Sequence, residues 1–331
     1  MLDMEDETNE KLKQMFKGEM QDWLQVGPKK YTLPNKYKIF GPKVYNFEIR
    51  HDDYWIVTFP RSGTTVTQEM IWLLQNDLDY EAVLKIPLML RFPQIAQLNV
   101  PNPESIAKMM EDSRGNPIKE ALYKSVTTNV TSLPSAPGPR FFKSHFPLSL
   151  LPPTLLDTCK VVYLCRNPKD VAVSYYNLSL SLKTLDFQGD FPQYWDLFEQ
   201  GIIRYAPYWE HIAEAWEQRN HPNMLFLFYE DLVKDMAGTI RKLTNHYGKQ
   251  LTDEQVQRLA DFLQIDNFRK VMQNMGMNDL VKNEKAEKSN TFIRRGVTGG
   301  WKDHFTPELE ARADKWIADN VSRIPGFSFP V

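Results

Sequence analysis

Four short apolar runs, Tyr54–Phe59, Arg140–His145, Lys160–Cys165 and Asn223–Phe228, constrain this chain more than any other feature. Each is bounded by polar or turn residues, the pattern of strands in a sheet covered on both faces. Between them the sequence turns helical. Pro168 stands at a first helical turn, and Asp170-Val171-Ala172-Val173 continues the helix. Strands alternating with helices predict an α/β fold with a central, mostly parallel sheet flanked by helices. The chain has 331 residues, 42% of them hydrophobic, enough for one domain with a sizeable core. We read residues 1–45 as a peripheral helix (Lys11 to Trp23) with a Pro- and Lys-rich connection, and residues 46–331 as the main domain.

Charge excludes some functions. Forty basic and 42 acidic residues leave a net charge of −2, which advertises neither nucleic acid nor an anionic membrane as a partner. Two cysteines, Cys159 and Cys165, give no disulfide framework and no metal-binding pair. The acidic start lacks the apolar core of a signal peptide, and no apolar run approaches the roughly 20 residues of a spanning helix. A cytoplasmic location is the expectation, so the glycosylation matches at Asn129, Asn177 and Asn320 read as chance.

The stretch from Trp55 to Leu74, WIVTFPRSGTTVTQEMIWLL, passes from strand to helix through Arg61-Ser62-Gly63-Thr64-Thr65. A turn of this kind leaves N–H groups unsatisfied at the positive end of a helix dipole, which makes an anion site. Gly63 allows close approach, the hydroxyls add donors, and Arg61 presents a fork suited to phosphate or sulfate oxygens. A helix merely capped by Ser62 or Thr64 is the alternative. The loop has one glycine and no following Lys, so it is not the common ATP or GTP loop. It resembles the 5′-phosphosulfate-binding loop of cytosolic sulfotransferases.

Three later segments bear on that resemblance. In FFKSHFPLSLLP, Lys143 and His145 stand two apart on an extended chain and share a face. A Lys there can neutralise a transferring oxyanion while a His takes a proton from an attacking hydroxyl. The stretch is similar to the one that carries the family's catalytic His. In KVVYLCRNPKDVAVSYYN, Arg166 ends a strand and Ser174 lies eight residues on. Ligands collect at such carboxyl ends, and the spacing resembles the family's 3′-phosphate signature. In FIRRGVTGGWKDHF, Arg294, Arg295 and Gly296 resemble the basic segment that closes on the same phosphate. NMLFLFYEDL also looks like the family's strand before a Tyr-Glu-Asp turn. The loop variants look closest to the insect branch, which includes retinol dehydratase.

The resemblance implies the donor 3′-phosphoadenosine 5′-phosphosulfate, with adenosine 3′,5′-bisphosphate as product and no metal. Arg61, Ser62, Gly63, Thr64 and Thr65 would hold the 5′ end. Arg166, Ser174, Arg294, Arg295 and Gly296 would hold the 3′-phosphate, with Tyr205 near the adenine and Phe268 stacked on it. His145 would be the base, while Lys143, Arg61 and Ser174 complete the catalytic set. From the residues alone, Met89, Phe92, Phe146, Tyr175 and Leu178 are candidate pocket walls or plain core. They favour a small hydroxylated apolar acceptor: a phenol, steroid or alcohol.

Several positions depart from the family pattern. Arg61 replaces a Lys and cannot readily donate a proton, Val66 replaces a Trp, and Asp266 stands where an acid is unfavourable unless turned away. Gly300 replaces an Asp. Pro307 and Ala311 alter the dimerisation motif, which leaves homodimerisation open. Three rivals to simple sulfonation stand: sulfonation followed by elimination, as in retinol dehydratase; a non-catalytic nucleotide-binding protein; and a nucleotide kinase. The region from Ile86 to Pro139 reads as a lid or substrate wall, and Gln273 to Thr291 as a long surface loop.

Overall fold

All four apolar runs become strands of one sheet. A computed structural model of the chain describes residues 1–18, 22–95, 103–117, 120–121, 123, 133, 135–182, 184–274 and 296–330. Seven strands are numbered along it: β1 (Leu2–Asp3), β2 (Trp23–Val26), β3 (Tyr31–Pro34), β4 (Asp53–Thr58), β5 (Arg140–Ser144), β6 (Lys160–Cys165) and β7 (Met224–Phe228). The last four pair in parallel in the order β5-β4-β6-β7. The register sets Val57 opposite Ser144, Thr58 opposite Leu164, and Cys165 opposite Phe228, so all four strands finish along the same edge.

Side-chain alternation splits the core in two. Trp55, Val57, Phe142, Val161 and Tyr163 join one hydrophobic cluster, while Ile56, Phe141, Val162 and Leu164 join the other. Burying each such side chain is worth roughly 1.5–3 kcal/mol, which explains why these strands carry no wet face. At the opposite end of the sheet Arg140 grips Asp53 with two bonds, Nε to Oδ1 at 2.6 Å and Nη2 to Oδ2 at 2.7 Å. Both side chains are buried, and the guanidinium lies 5.0 Å from the Phe47 ring.

The N-terminal segment departs from its sequence reading. The helix runs over Asp6–Met15, not Lys11 to Trp23, and Trp23 opens a strand. Long-range pairing ends the helix: Lys17 N–H donates to the Asp186 carbonyl and Gly18 N–H to Leu185, both at 3.1 Å. A Cβ on Gly18 would lie 2.3 Å from the Thr184 carbonyl carbon, so the approach needs glycine. β2 and β3 then form a hairpin whose Trp23, Leu24, Val26, Tyr31 and Leu33 are buried in the first cluster. The hairpin is also pinned to a later loop. Thr32 N–H donates to the Ala206 carbonyl and Tyr205 N–H to the Thr32 carbonyl, each at 2.8 Å.

Part of the supposed lid, residues 96–102, 118–119, 122, 124–132 and 134, lies outside the described residues, as does the loop proposed from Gln273 apart from the end of the helix Ile265–Asn274. Within the former region, short helices cover Leu88–Arg91 and Pro103–Asp112, and Gln94 bridges to Lys143 beside β5. Among the described residues, no helix is long and apolar enough to cross a membrane.

Candidate active site

Beyond Thr58 the chain turns through Phe59–Gly63 into the helix Thr64–Gln75. Arg61 and Gly63 both take positive φ, 69° and 102°. Gly63 is required twice over: its φ disfavours a side chain, and a Cβ would lie 2.5 Å from Tyr229 Cδ2 and 2.8 Å from Leu164 Cδ2. Gly63→Ala is therefore expected to strain the turn by about 1–3 kcal/mol. The measurement is a lower unfolding midpoint together with weaker anion binding; a variant that matches the parent in both would refute the packing argument.

The three basic segments converge here as far as they are described. Arg61 Nε donates to Ser174 Oγ at 2.9 Å. Arg166 donates from Nη1 to the Arg61 carbonyl and from Nη2 to the Val297 carbonyl, both at 3.0 Å, and its guanidinium lies 4.2 Å from the Tyr229 ring. Gly296, with φ 65°, packs so closely on Ile265 that a Cβ would lie 2.5 Å from its Cδ1. Arg294 and Arg295 lie outside the described residues. Arg166 ends its strand, and Ser174, eight residues on, stands on the helix Pro168–Ser181, which Asn167 caps by accepting from Lys169 N–H at 2.9 Å.

Residues that sequence reasoning missed support this junction. The Asp170 carboxylate accepts from Gly299 N–H at 2.8 Å and Trp301 N–H at 3.1 Å, fixing the segment that follows Gly296. Glu230, in the Tyr-Glu-Asp turn, accepts from Asn167 N–H at 2.8 Å. The Tyr208 hydroxyl donates to the Arg166 carbonyl. None of these has a chemical signature of its own; only their convergence gives them a role.

Three buried polar atoms of the junction lack partners among the described residues: Ser62 Oγ, Arg166 Nε and Glu230 Oε2, the last of which can only accept unless protonated. Buried polar groups are nearly always hydrogen-bonded, so a hydroxyl and a guanidinium N–H orphaned side by side with Arg61 fit anionic oxygens. Among the described residues, no group of His, Cys, Asp and Glu side chains is arranged to hold a metal ion.

His145 follows β5 immediately. Its Nδ1 lies 3.0 Å from the Thr58 carbonyl and 3.3 Å from Thr58 Oγ1, and Thr58 Oγ1 lies 2.7 Å from Thr64 Oγ1. A carbonyl can only accept, so Nδ1 carries the proton and Nε2 keeps a lone pair. Burial, then the nearby Lys143 ammonium, holds the imidazole well below its usual range. It is neutral at pH 7. Burial and the Arg61 guanidinium push Lys143 down to about 8. A second histidine, His211, is fully buried and donates from Nε2 to the His145 carbonyl at 3.1 Å. Burial moves it down to about 4.

The remaining sequence candidates divide between the two faces. Tyr205, with φ 73°, packs its ring 5.6 Å from that of His145 and 5.1 Å from the Arg204 guanidinium, in the first cluster. Phe268 is buried in the second. Phe146, Tyr175 and Leu178 lie with the first cluster, Met89 and Phe92 with the second. The Tyr175 hydroxyl accepts from Arg204 Nε at 3.2 Å, a buried cation that sequence reading did not flag. Asp266 points outward to Arg269 at 3.0 Å, which removes the anticipated conflict with an anion. Thr306 and Pro307 open the helix Pro307–Val321 as its cap and first residue, a local reason for the Pro.

The chain is similar to known proteins over most of its length. The family model of the sulfotransferase domain matches residues 51–325. Sulfotransferase 1E1 of Homo sapiens is 31% identical over 282 residues, 83% of this chain and 86% of that protein. Luciferin sulfotransferase of Photinus pyralis is 29% identical over 307 residues, covering 91% and 80%. Retinol dehydratase, solved in a complex with retinol and PAP, superposes with a TM-score of 0.86 at 35% identity, covering 99% of this chain and 98% of that one. Its complex with androsterone and PAP gives 0.86 at 33% identity, with 99% and 97% coverage. Since the matched span runs from the start of β4 past the helix Pro307–Val321 and takes in the cradle, His145 and Lys143 alike, this chain belongs to the sulfotransferase family.

Proposed function

We propose that this protein transfers a sulfuryl group from 3′-phosphoadenosine 5′-phosphosulfate to the hydroxyl of a small apolar acceptor. One observation carries the reading: a neutral His145 with its lone pair on Nε2 stands beside Lys143, next to a cationic cradle with unsatisfied donors. The PAP named with the retinol dehydratase structures supports the choice of donor nucleotide.

The donor supplies an electrophilic sulfur and an anionic phosphate leaving group. Ser62, Thr64, Thr65 and Arg61 bind its 5′ end, and Arg166, Ser174 and Gly296 the ribose phosphate, with Arg294 and Arg295 assigned to the same phosphate. His145 Nε2 takes the proton of the acceptor hydroxyl. Lys143 and Arg61 stabilise the negative charge that develops, so most of the catalysis is placement and electrostatics. Arg61 acts as a fixed cation, because a guanidinium does not give up its proton.

The pH dependence follows from the two shifted groups. His145 is an effective base only above its own lowered pKa, and Lys143 is a cation only below about 8. The rate should already be level across mildly acidic and neutral pH, where His145 is neutral, and fall above about pH 8 as Lys143 loses its charge. Lys143→Arg should move the falling limb upward, since the guanidinium stays charged. A falling limb unmoved in that variant would remove Lys143 from the account.

A second outcome is favoured by the retinol dehydratase match at 0.86: an allylic alcohol is sulfonated and the sulfate then eliminated. Incubation with labelled donor and a panel of phenols, steroids and retinol tests both readings. Labelled sulfate esters support transfer alone, and an anhydro product supports elimination. No transfer to any member, with ATP preferred as ligand, would favour a kinase instead.

A further inference from the structure

Three acceptors and donors at the centre of the site form a chain with a direction. His145 Nδ1 faces the Thr58 carbonyl at 3.0 Å, so its proton points toward Thr58, and Thr58 Oγ1 accepts a share of it at 3.3 Å. With that lone pair engaged, the Thr58 hydroxyl turns its own proton to Thr64 Oγ1 at 2.7 Å. Thr64 accepts there, at the first position of the helix Thr64–Gln75, and has its proton to offer to the anion in the cradle. Thr58 is completely buried and uncharged, so water does not short-circuit the chain.

We propose that Thr58 is a positioning residue whose hydroxyl couples the base to the cradle: proton uptake at His145 strengthens the bond that Thr64 gives to the departing phosphate. This rests on the sulfuryl-transfer reading. In that reaction the acceptor proton goes to Nε2 as the acceptor oxygen–sulfur bond forms. The bridging sulfur–oxygen bond breaks, and its electron pair stays on the phosphate oxygen. An imidazolium is a stronger donor than a neutral imidazole, and successive hydrogen bonds polarise one another. The charge that appears on the base therefore reinforces the donor where opposite charge appears on the leaving group.

The groups that bear on His145 come from four elements: Lys143 on β5, Arg204 and the Tyr205 ring on the loop before Pro207, His211 on the helix Tyr208–Glu217, and Thr58 on β4. Of these, Thr58 is the one with a hydrogen bond to Thr64 among the described residues. Thr58→Val removes the hydroxyl and keeps the carbonyl and the shape; Thr58→Ser restores the hydroxyl. NMR titration of the His145 ring, with and without adenosine 3′,5′-bisphosphate, reads the coupling directly. Bound bisphosphate should raise the His145 pKa further in the parent and in Thr58→Ser than in Thr58→Val. Thr64→Val, which leaves the sheet untouched, should reproduce the reduced rise. Turnover should fall about 3–10-fold in Thr58→Val, with no further fall when it is added to His145→Ala. Equal rises in all variants would overturn the relay while leaving sulfuryl transfer intact. No binding of the bisphosphate to folded protein would overturn both.

Discussion

Replacing His145 with alanine should lower turnover by about 10²–10⁴-fold, the range general-base catalysis commonly contributes. The residue offers a single lone pair, on Nε2, because Nδ1–H is committed to the Thr58 carbonyl at 3.0 Å. Lys143 cannot substitute: below about pH 8 it is a cation with no lone pair to give. The nucleotide cradle is built from other residues, so affinity for adenosine 3′,5′-bisphosphate should be unchanged. Single-turnover rates and calorimetry on the same preparation separate the two effects. Full activity with intact binding would exclude His145 as the base. Equal loss of rate and affinity would mean that the substitution had disturbed the cradle.

The second large effect concerns stability. Asp53→Asn leaves the Arg140 guanidinium buried against a neutral amide, and breaking a buried pair from one side costs about 3–5 kcal/mol. The damage should spread, because Asp53 also accepts from Arg50 N–H at 2.8 Å and Arg140 donates to the Glu48 carbonyl at 2.9 Å. These bonds anchor the segment entering β4 and hence the start of both strands that carry the site. Denaturant unfolding provides the measurement. The double replacement Asp53→Leu with Arg140→Met should recover most of the loss, since well-packed apolar residues often match a buried ion pair. A single-variant cost below about 1 kcal/mol would show that water reaches the pair.

The sheet was legible because its strands are buried on both faces. Lys160–Cys165 is found where the sequence sets it, Tyr54–Phe59 moves back by one residue, and the other two runs differ by one residue at one end. The cradle was legible because anion chemistry needs recognisable residue types. Contacts with no chemical signature were not. The helix expected to reach Trp23 stops at Met15 because Lys17 and Gly18 pair with Leu185 and Asp186, partners far along the chain. Thr58 reads as one more strand residue until its distances to His145 and Thr64 are known. Tyr205 and Phe268 could be matched by local pattern, but that they pack into different clusters was not legible, because a pattern carries no information about faces.

The N-terminal hairpin carries a consequence for protein engineering. Thr32 is the mortise into which the Tyr205–Ala206 backbone fits, and Tyr205 in turn lies against the imidazole. Exchanging the opening segment with that of a relative would thus retune the reactive centre from a distance. Chimeras made to alter solubility or expression should shift the acidity of the histidine, although no residue at the mouth of the cleft has changed.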